Sequence, residues 1–272
     1  DSLAPLVSTI FDQPGEHDSF ALLLGTYCFA LQIYGDFSGY SDIARGISRL
    51  MGIELMVNFK QPYLARNITD FWRRWHISLS TWLRDYLYIP LGGNRGGSFN
   101  QNRNMMITML LGGLWHGAGW NFILWGGLHG AYLSVHKLWT RNRKIDAIQA
   151  PQTYKAQTVH CFWTFITFNL VCLTWIPFWS GDFGTTSAYF EGLFQFSGAD
   201  WTTLSSIGIP HSLILYGIVV LILDLRCWYR NHELPFNQTD STWLRGIAYA
   251  VGILILALVR EGSHETFIYF QF

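Results

Sequence analysis

The stretch that decides the fold is Gly112-Gly-Leu-Trp-His-Gly-Ala-Gly-Trp-Asn-Phe-Ile-Leu-Trp-Gly-Gly-Leu-His-Gly130. It places two histidines, His116 and His129, in a segment apolar enough to lie within a lipid bilayer. Ionisable side chains at membrane depth are costly and often mark function. The glycines at 112, 113, 117 and 119 surround His116, and glycine lets two backbones approach closely. We therefore predict a histidine site between helices inside a membrane; the alternative is a packed histidine bonded to a backbone carbonyl.

The composition predicts a polytopic membrane protein. Of 272 residues, 50% are hydrophobic and 13% charged, whereas soluble domains carry about 25% charged residues. Lys+Arg and Asp+Glu are balanced at 18 each, so net charge favours no nucleic-acid partner. The four cysteines lie in apolar runs, as small buried hydrophobes do, and no metal site is expected. The polar connectors Arg141–Gln157 and Asn231–Ser241 are too short to separate domains, so we expect one domain, residues 1–272. Because the chain begins at Asp1 without a signal-peptide pattern, we expect it to be the C-terminal portion of a longer protein.

Six apolar segments are candidate membrane spans. They are Ser19–Gly35, Met105–Gly113, Trp120–Leu138, Val159–Trp179, Ser212–Trp228 and Leu244–Val259. Only Val159–Trp179 clearly reaches the length of about 20 residues that a straight crossing needs. Several others are short and contain glycine, which predicts broken or tilted helices packed within protein.

Basic residues set the expected orientation, because cytoplasmic loops carry an excess of Lys and Arg. The segments expected in the cytoplasm are Arg45–Arg103, Lys137–Lys155 and Arg226–Arg245, and those expected outside are Asp1–Asp18 and Gly181–His211. Two cytoplasmic flanks require an even number of crossings between them. Residues Met105–Leu138 should therefore form a hairpin or re-entrant pair that turns near Gly112–Gly119 and holds His116 deep in the membrane.

The segment Asn67–Tyr88 predicts an amphipathic helix at the cytoplasmic interface, because its apolar residues recur at helical spacing. Asn67 or Thr69 can cap its start, and Pro90 with the following glycines can end it. His76 falls in the middle of the apolar face, where an anchor needs no histidine. The alternative is an interfacial histidine that reaches toward lipid headgroups.

Three motifs together resemble membrane-bound O-acyltransferases of the alginate O-acetyltransferase branch, to which the D-alanyl transferases that modify teichoic acids are close relatives. The motifs are Tyr34-Gly-Asp-Phe-Ser-Gly-Tyr-Ser-Asp42, then Phe71-Trp-Arg-Arg-Trp-His-Ile-Ser-Leu-Ser80 continuing through Trp82 to Arg95, then Leu114-Trp-His-Gly-Ala-Gly-Trp120 with Trp125-Gly-Gly-Leu-His-Gly130. The resemblance implies an all-α polytopic fold in which short, broken and re-entrant helices surround a central tunnel. It also implies a bacterial inner-membrane location, and the N-terminal helices of the family are expected to be missing here.

The resemblance places the hallmark histidine of the family on His116 and a second important histidine on His76. An imidazole titrates near pH 6.5, so at neutral pH it can take a proton from an alcohol and return it to a departing thiolate. We therefore predict His116 as the catalytic base. His76 would orient the acyl donor or stabilise the charge that develops on the carbonyl oxygen.

The predicted substrate-binding residues are Trp72, Trp75, Trp115, Asp36, Ser38, Arg73, Arg74, Asn94, Arg95 and His129. The arginines could attract the phosphates of a coenzyme A or carrier-protein donor, or could meet anionic lipid instead. Asp36 and Ser38 could line the donor entrance or bond core helices. For His129, a structural hydrogen-bonding role is the alternative.

We therefore expect an O-acetyltransferase that needs no bound cofactor or metal. Its co-substrate would be an acyl thioester, acetyl-coenzyme A or an acyl carrier protein, on the cytoplasmic side. Acetyl would pass to hydroxyls of an exported polysaccharide, directly or through an acetyl-accepting partner protein outside the membrane. One alternative is D-alanyl transfer to a cell-envelope polymer; others are a transporter or channel and an inactive secretion scaffold.

Overall fold

The structure is a computed structural model that describes residues 3–140, 153–196, 211–236 and 240–258. Within these ranges the chain is helical and contains no β-strand, which confirms the predicted all-α class. The helices are α1 (Ala4–Asp12), α2 (Ser19–Leu50), α3 (Ile68–Trp72), α4 (Ile77–Leu83), α5 (Gly97–His116), α6 (Trp120–Thr140), α7 (Tyr154–Trp179), α8 (Phe183–Phe194), α9 (His211–Arg230) and α10 (Thr242–Leu258). Parts of the predicted connectors Lys137–Lys155, Gly181–His211 and Arg226–Arg245, the start of Asp1–Asp18, and Val259 lie outside the described residues.

Each predicted apolar span lies in a helix, but the bounds of α2 differ from the prediction. The helix does not end at Gly35 and continues to Leu50, giving 32 residues. An added Cβ at Gly35 would meet nothing within 4 Å, so this glycine marks neither a turn nor a close contact. By length and composition, α2 and α7 could each cross a membrane. From sequence, only the second of these is clearly long enough for a straight crossing.

The hairpin predicted over Met105–Leu138 is confirmed as an antiparallel pair, α5 and α6. The turn lies at residues 117–119, directly after His116 ends α5. Close approach of the two helices depends on glycine, because a Cβ on Gly113 would overlap the carbonyl oxygen of Phe122. Residues Gly97 and Thr140 consequently lie at one end of the hairpin and His116 at the other.

The continuous amphipathic helix predicted for Asn67–Tyr88 is wrong. Asn67 does cap α3, since its side chain accepts a hydrogen bond from the Asp70 amide at 2.8 Å. The chain then leaves the helix between α3 and α4, and a π-helical turn follows at residues 84–88. Backbone hydrogen bonds to a distant segment explain the break: the Lys60 amide donates to the Arg74 carbonyl at 2.9 Å, and the Ile77 amide to that of Asn58 at 3.0 Å.

An aromatic core joins α1, α2, α3, α6, α7 and α8. Its largest fully buried side chains are Trp175, Tyr189, Phe11, Phe29, Phe71 and Phe178. Trp175 of α7 lies at the centre of this core. The centroid of its ring is 6.2 Å from that of Phe29 and 5.3 Å from that of Phe178. Rings of this size contribute most of the area buried in a core. The tip of the hairpin therefore packs against a rigid aromatic core.

Candidate active site

His116 lies at the tip of the α5–α6 hairpin in a cage of aromatic rings. Its ring centroid is 4.9 Å from that of Trp115 and 5.1 Å from those of both Trp125 and Phe178. The residue is half-buried. Throughout the described part of the chain, neither ring nitrogen of His116 has a hydrogen-bond partner. The imidazole is therefore free to exchange a proton with a bound molecule.

His76 lies in the connection between α3 and α4, with 9% of its surface exposed. Its φ of 42° is in the left-handed region, which costs a non-glycine residue about 1–3 kcal/mol and is concentrated at functional sites. Asn58 holds this turn, because its side-chain oxygen accepts from the Ser78 amide at 3.1 Å. Burial lowers the pKa of His76 to about 4, so this imidazole is neutral at neutral pH.

Trp115 bridges the two histidines that the sequence predicted as catalytic. Its ring centroid is 4.9 Å from that of His116 and 6.4 Å from that of His76. The Trp115 side chain is itself 59% exposed. The fold thus brings together three predicted site residues, two of them 40 positions apart in sequence. Trp115 is exposed, His116 is half-buried and His76 is buried.

His129 is fully buried and both its ring nitrogens are engaged. The Trp72 indole N–H donates to His129 Nδ1 at 3.2 Å, and His129 Nε2 lies 2.9 Å from the Thr174 hydroxyl. That hydroxyl donates to the Val171 carbonyl at 2.6 Å, so it accepts from Nε2–H and the neutral ring carries its proton there. These contacts favour the structural alternative for His129, and they occupy the polar group of Trp72.

Replacing Thr174 by valine tests this assignment. The variant leaves the His129 Nε2–H buried without an acceptor, which costs about 1–3 kcal/mol of stability. We expect a lower thermal unfolding midpoint in detergent, with the Michaelis constants for the acyl donor and the hydroxyl acceptor unchanged. Thr167→Val is the matched control, because Thr167 is also buried on α7 and donates only to the Trp163 carbonyl, at 2.8 Å. A raised Michaelis constant in Thr174→Val alone would indicate that His129 contacts substrate.

The predicted basic residues have different environments. Arg74 is buried and its Nε lies 2.8 Å from Asp70 Oδ1, while Arg95 is exposed. Arg73 lines a polar cavity of about 390 Å³ together with Lys137. Asn94 is exposed and accepts from Lys137 Nζ at 3.1 Å. The structure therefore brings Arg73, Asn94 and Lys137 to the end of the hairpin opposite His116 and keeps Arg74 in an internal ion pair.

The remaining predicted residues lie on α2 and in the core. Asp36 and Ser38 are half-buried on either side of Phe37, whose ring centroid is 4.7 Å from that of His76. One carboxylate oxygen of Asp36 is buried and has no hydrogen-bond partner among the described residues. Trp75 is 3% exposed and packs with its ring centroid 5.1 Å from that of Trp175. The segment that carries Asp36 and Ser38 therefore contacts His76 through Phe37, whereas Trp75 belongs to the core.

Sequence reasoning missed three features of this site. Asn58, which holds the His76 turn, and Thr174, which fixes the tautomer of His129, are ordinary polar residues with no motif of their own. Trp125 lies inside the quoted stretch, but nothing in the pattern distinguishes it from other tryptophans. As for metals, the described residues contain no group of three His, Cys, Asp or Glu side chains that could hold an ion.

Comparison of the amino-acid sequence with known proteins identifies one family. The profile of MBOAT, the membrane-bound O-acyltransferase family, matches residues 12–176. A "Probable alginate O-acetylase AlgI" of Azotobacter vinelandii is 44% identical over 238 residues, 84% of this chain and 44% of that protein. A protein of the same name from Pseudomonas putida is 39% identical over 270 residues, which are 92% of this chain and 53% of that protein. A "Peptidoglycan O-acetyltransferase" of Helicobacter pylori is 32% identical over 288 aligned positions, which cover 100% of this chain and 53% of that protein. The chain spans about half the length of these curated relatives.

Proposed function

This chain belongs to the membrane-bound O-acyltransferase family, and on that premise we propose that it catalyses transfer of an acetyl group from a cytoplasmic thioester to a hydroxyl of an exported polysaccharide. The relatives carry the names probable alginate O-acetylase and peptidoglycan O-acetyltransferase, which supports acetyl as the acyl group and an exported or cell-envelope polymer as the acceptor. We place the protein in the cytoplasmic membrane of a bacterium. The acceptor receives acetyl either directly or through a partner protein outside that membrane.

One observation carries this proposal: His116 presents an imidazole that bonds to none of the described residues, inside an aromatic cage at the tip of the α5–α6 hairpin. A histidine that served packing alone would have its nitrogens paired, as those of His129 are. General acid–base catalysis needs a ring nitrogen within hydrogen-bond reach of the reacting hydroxyl. The contrast between these two histidines of one helical hairpin supports a chemical role for His116.

The reaction proceeds by proton transfer through His116. The imidazole takes the proton of the acceptor hydroxyl while the hydroxyl oxygen attacks the thioester carbonyl carbon, and a new carbon–oxygen bond forms. Collapse of the tetrahedral intermediate breaks the carbon–sulfur bond, and the imidazolium returns its proton to the departing thiolate. Neutral His76, held rigidly in its strained turn beside Trp115, orients the donor.

The donor approaches from the basic end of the hairpin. Arg73 and Lys137 line the same cavity, and no acidic side chain is among its lining residues in the described structure. Two uncompensated cations favour a phosphate-bearing ligand, such as coenzyme A or the prosthetic group of a carrier protein. Anionic lipid headgroups offer the same chemistry. Repeating the assay below in vesicles with and without anionic lipid separates the two sources, because lipid bound at Arg73 and Lys137 would raise the Michaelis constant for acetyl-coenzyme A.

Labelled acetyl transfer tests the proposal. The complete protein is reconstituted in vesicles loaded with de-acetylated alginate oligomers, and acetyl-coenzyme A labelled in its acetyl group is added outside. We expect label to become esterified to the oligomers by the wild-type protein and not by His116→Ala. His232→Ala, which removes an exposed histidine, is the control and should leave transfer unchanged.

Two results would overturn the proposal. Label that crosses the membrane as intact acetyl-coenzyme A would indicate a transporter. Transfer of D-alanine from a loaded carrier protein, with no transfer of acetyl, would indicate the D-alanyl branch of the family.

A further inference from the structure

Two buried tryptophans carry indole N–H groups for which no described residue is an acceptor. Trp125 of α6 is 2% exposed and Trp175 of α7 is 1% exposed, and in the described structure neither Nε1 has a hydrogen-bond partner. Buried indole N–H groups almost always find an acceptor, and an exception requires an explanation. Trp72, which donates to His129 in the same region, shows the ordinary behaviour.

The position of Trp125 distinguishes it from Trp175. Its ring centroid is 5.1 Å from that of His116, at an interplanar angle of 80°. Trp175 stacks behind it at 6.4 Å and has no ring contact with His116 among the described residues. Among the described residues, Trp125 is therefore the tryptophan that combines an unpaired buried N–H with a ring contact to the imidazole at which the proposed acyl transfer takes place.

Trp125 is also held rigidly. Its ring centroid is 4.8 Å from that of His129 and 5.5 Å from that of Phe178. His129 is in turn fixed by Trp72 on one nitrogen and Thr174 on the other. A donor that is fixed in advance and kept from water stabilises developing charge without reorganising during the reaction. The buried hydrogen-bond network around His129 thus helps to hold Trp125 in place beside His116.

We propose that the Trp125 indole N–H is the hydrogen-bond donor to the thioester carbonyl oxygen and to the oxyanion that forms there. This inference rests on the proposed acyl transfer at His116. As the acceptor oxygen adds to the carbonyl carbon, the carbonyl π electrons move onto the oxygen, which binds the N–H more strongly. Those electrons return to form the product ester as the carbon–sulfur bond breaks, and His116 supplies the proton to sulfur. Trp125 remains protonated throughout and exchanges no atom with the substrates.

The test compares Trp125→Phe with Trp175→Phe in the vesicle assay with acetyl-coenzyme A and de-acetylated alginate oligomers. Both variants lose one unpaired indole N–H from the same buried aromatic cluster. For Trp125→Phe we expect kcat to fall about 10²–10³-fold, the effect of losing one oxyanion donor, with a Michaelis constant for acetyl-coenzyme A near that of the wild type. Trp175→Phe should retain turnover within a few-fold.

Equal turnover of the two variants would overturn the inference. A lower thermal unfolding midpoint for Trp125→Phe than for Trp175→Phe would also overturn it, because the N–H would then be engaged in the resting protein. His116→Ala separates the inference from the function beneath it. If that variant retains full transfer, the proposed function fails; if it loses transfer while Trp125→Phe stays active, only the oxyanion assignment fails.

Discussion

Alanine in place of His116 is expected to lower kcat for acetyl transfer by about 10²–10⁴-fold, the usual contribution of positioned acid–base catalysis. The ring touches the aromatic cage only through its faces and edges and bonds to no described residue. Its removal should therefore affect turnover far more than the folded state. The measurement is initial-rate kinetics with labelled acetyl-coenzyme A, beside thermal unfolding of the same preparation.

The matched comparison for this prediction is His76→Ala. His76 contacts Phe37 and Trp115, and Trp115 in turn contacts His116. We expect its loss to raise the Michaelis constant for the donor as well as to lower kcat, since it orients the donor. A His116→Ala variant that turns over at the wild-type rate would contradict the assignment of the base.

The second large effect is expected on stability, from Asp70→Asn. Asp70 and Arg74 form a buried ion pair at 2.8 Å, and Arg74 also donates to the Lys60 carbonyl at 3.1 Å. Removing the carboxylate charge leaves the guanidinium buried without a counter-ion, which costs about 3–5 kcal/mol. The unfolding midpoint in detergent, measured by heat or denaturant, should fall accordingly.

Asp85→Asn is the control for Asp70→Asn. Asp85 pairs with Arg84 at 2.7 Å, but both side chains are largely exposed, and surface ion pairs contribute little. We therefore expect no measurable change of the midpoint in this variant. Equal midpoints for Asp70→Asn and the wild-type protein would show that Arg74 is not dependent on its partner.

The sequence predicted the helices well, because long apolar runs between basic loops leave few alternatives in a membrane. The hairpin of α5 and α6 followed from the same rule together with the glycines around His116. The break between α3 and α4 did not, since it depends on hydrogen bonds that Asn58 accepts from Ile77 and Ser78 and that the Lys60 amide donates to Arg74. Periodicity describes a helix in isolation, and these tertiary contacts override it.

The site was predictable where a residue type carries its own chemistry. His116 and His76 stand out in apolar surroundings, and the structure brings both to Trp115. The contrast between His129 and His116 was not predictable, because it depends on which nitrogens find partners across helices. The unpaired N–H of Trp125 is likewise a property of the packed structure and has no signature in sequence.

Chemical rescue by imidazole tests the central claim most directly. Imidazole is added at increasing concentration to His116→Ala and to His76→Ala, and transfer of labelled acetyl is measured for each. If His116 is the base, turnover of His116→Ala should rise with the concentration of neutral imidazole, while His76→Ala should show no such dependence. Rescue of His76→Ala but not of His116→Ala would contradict the claim.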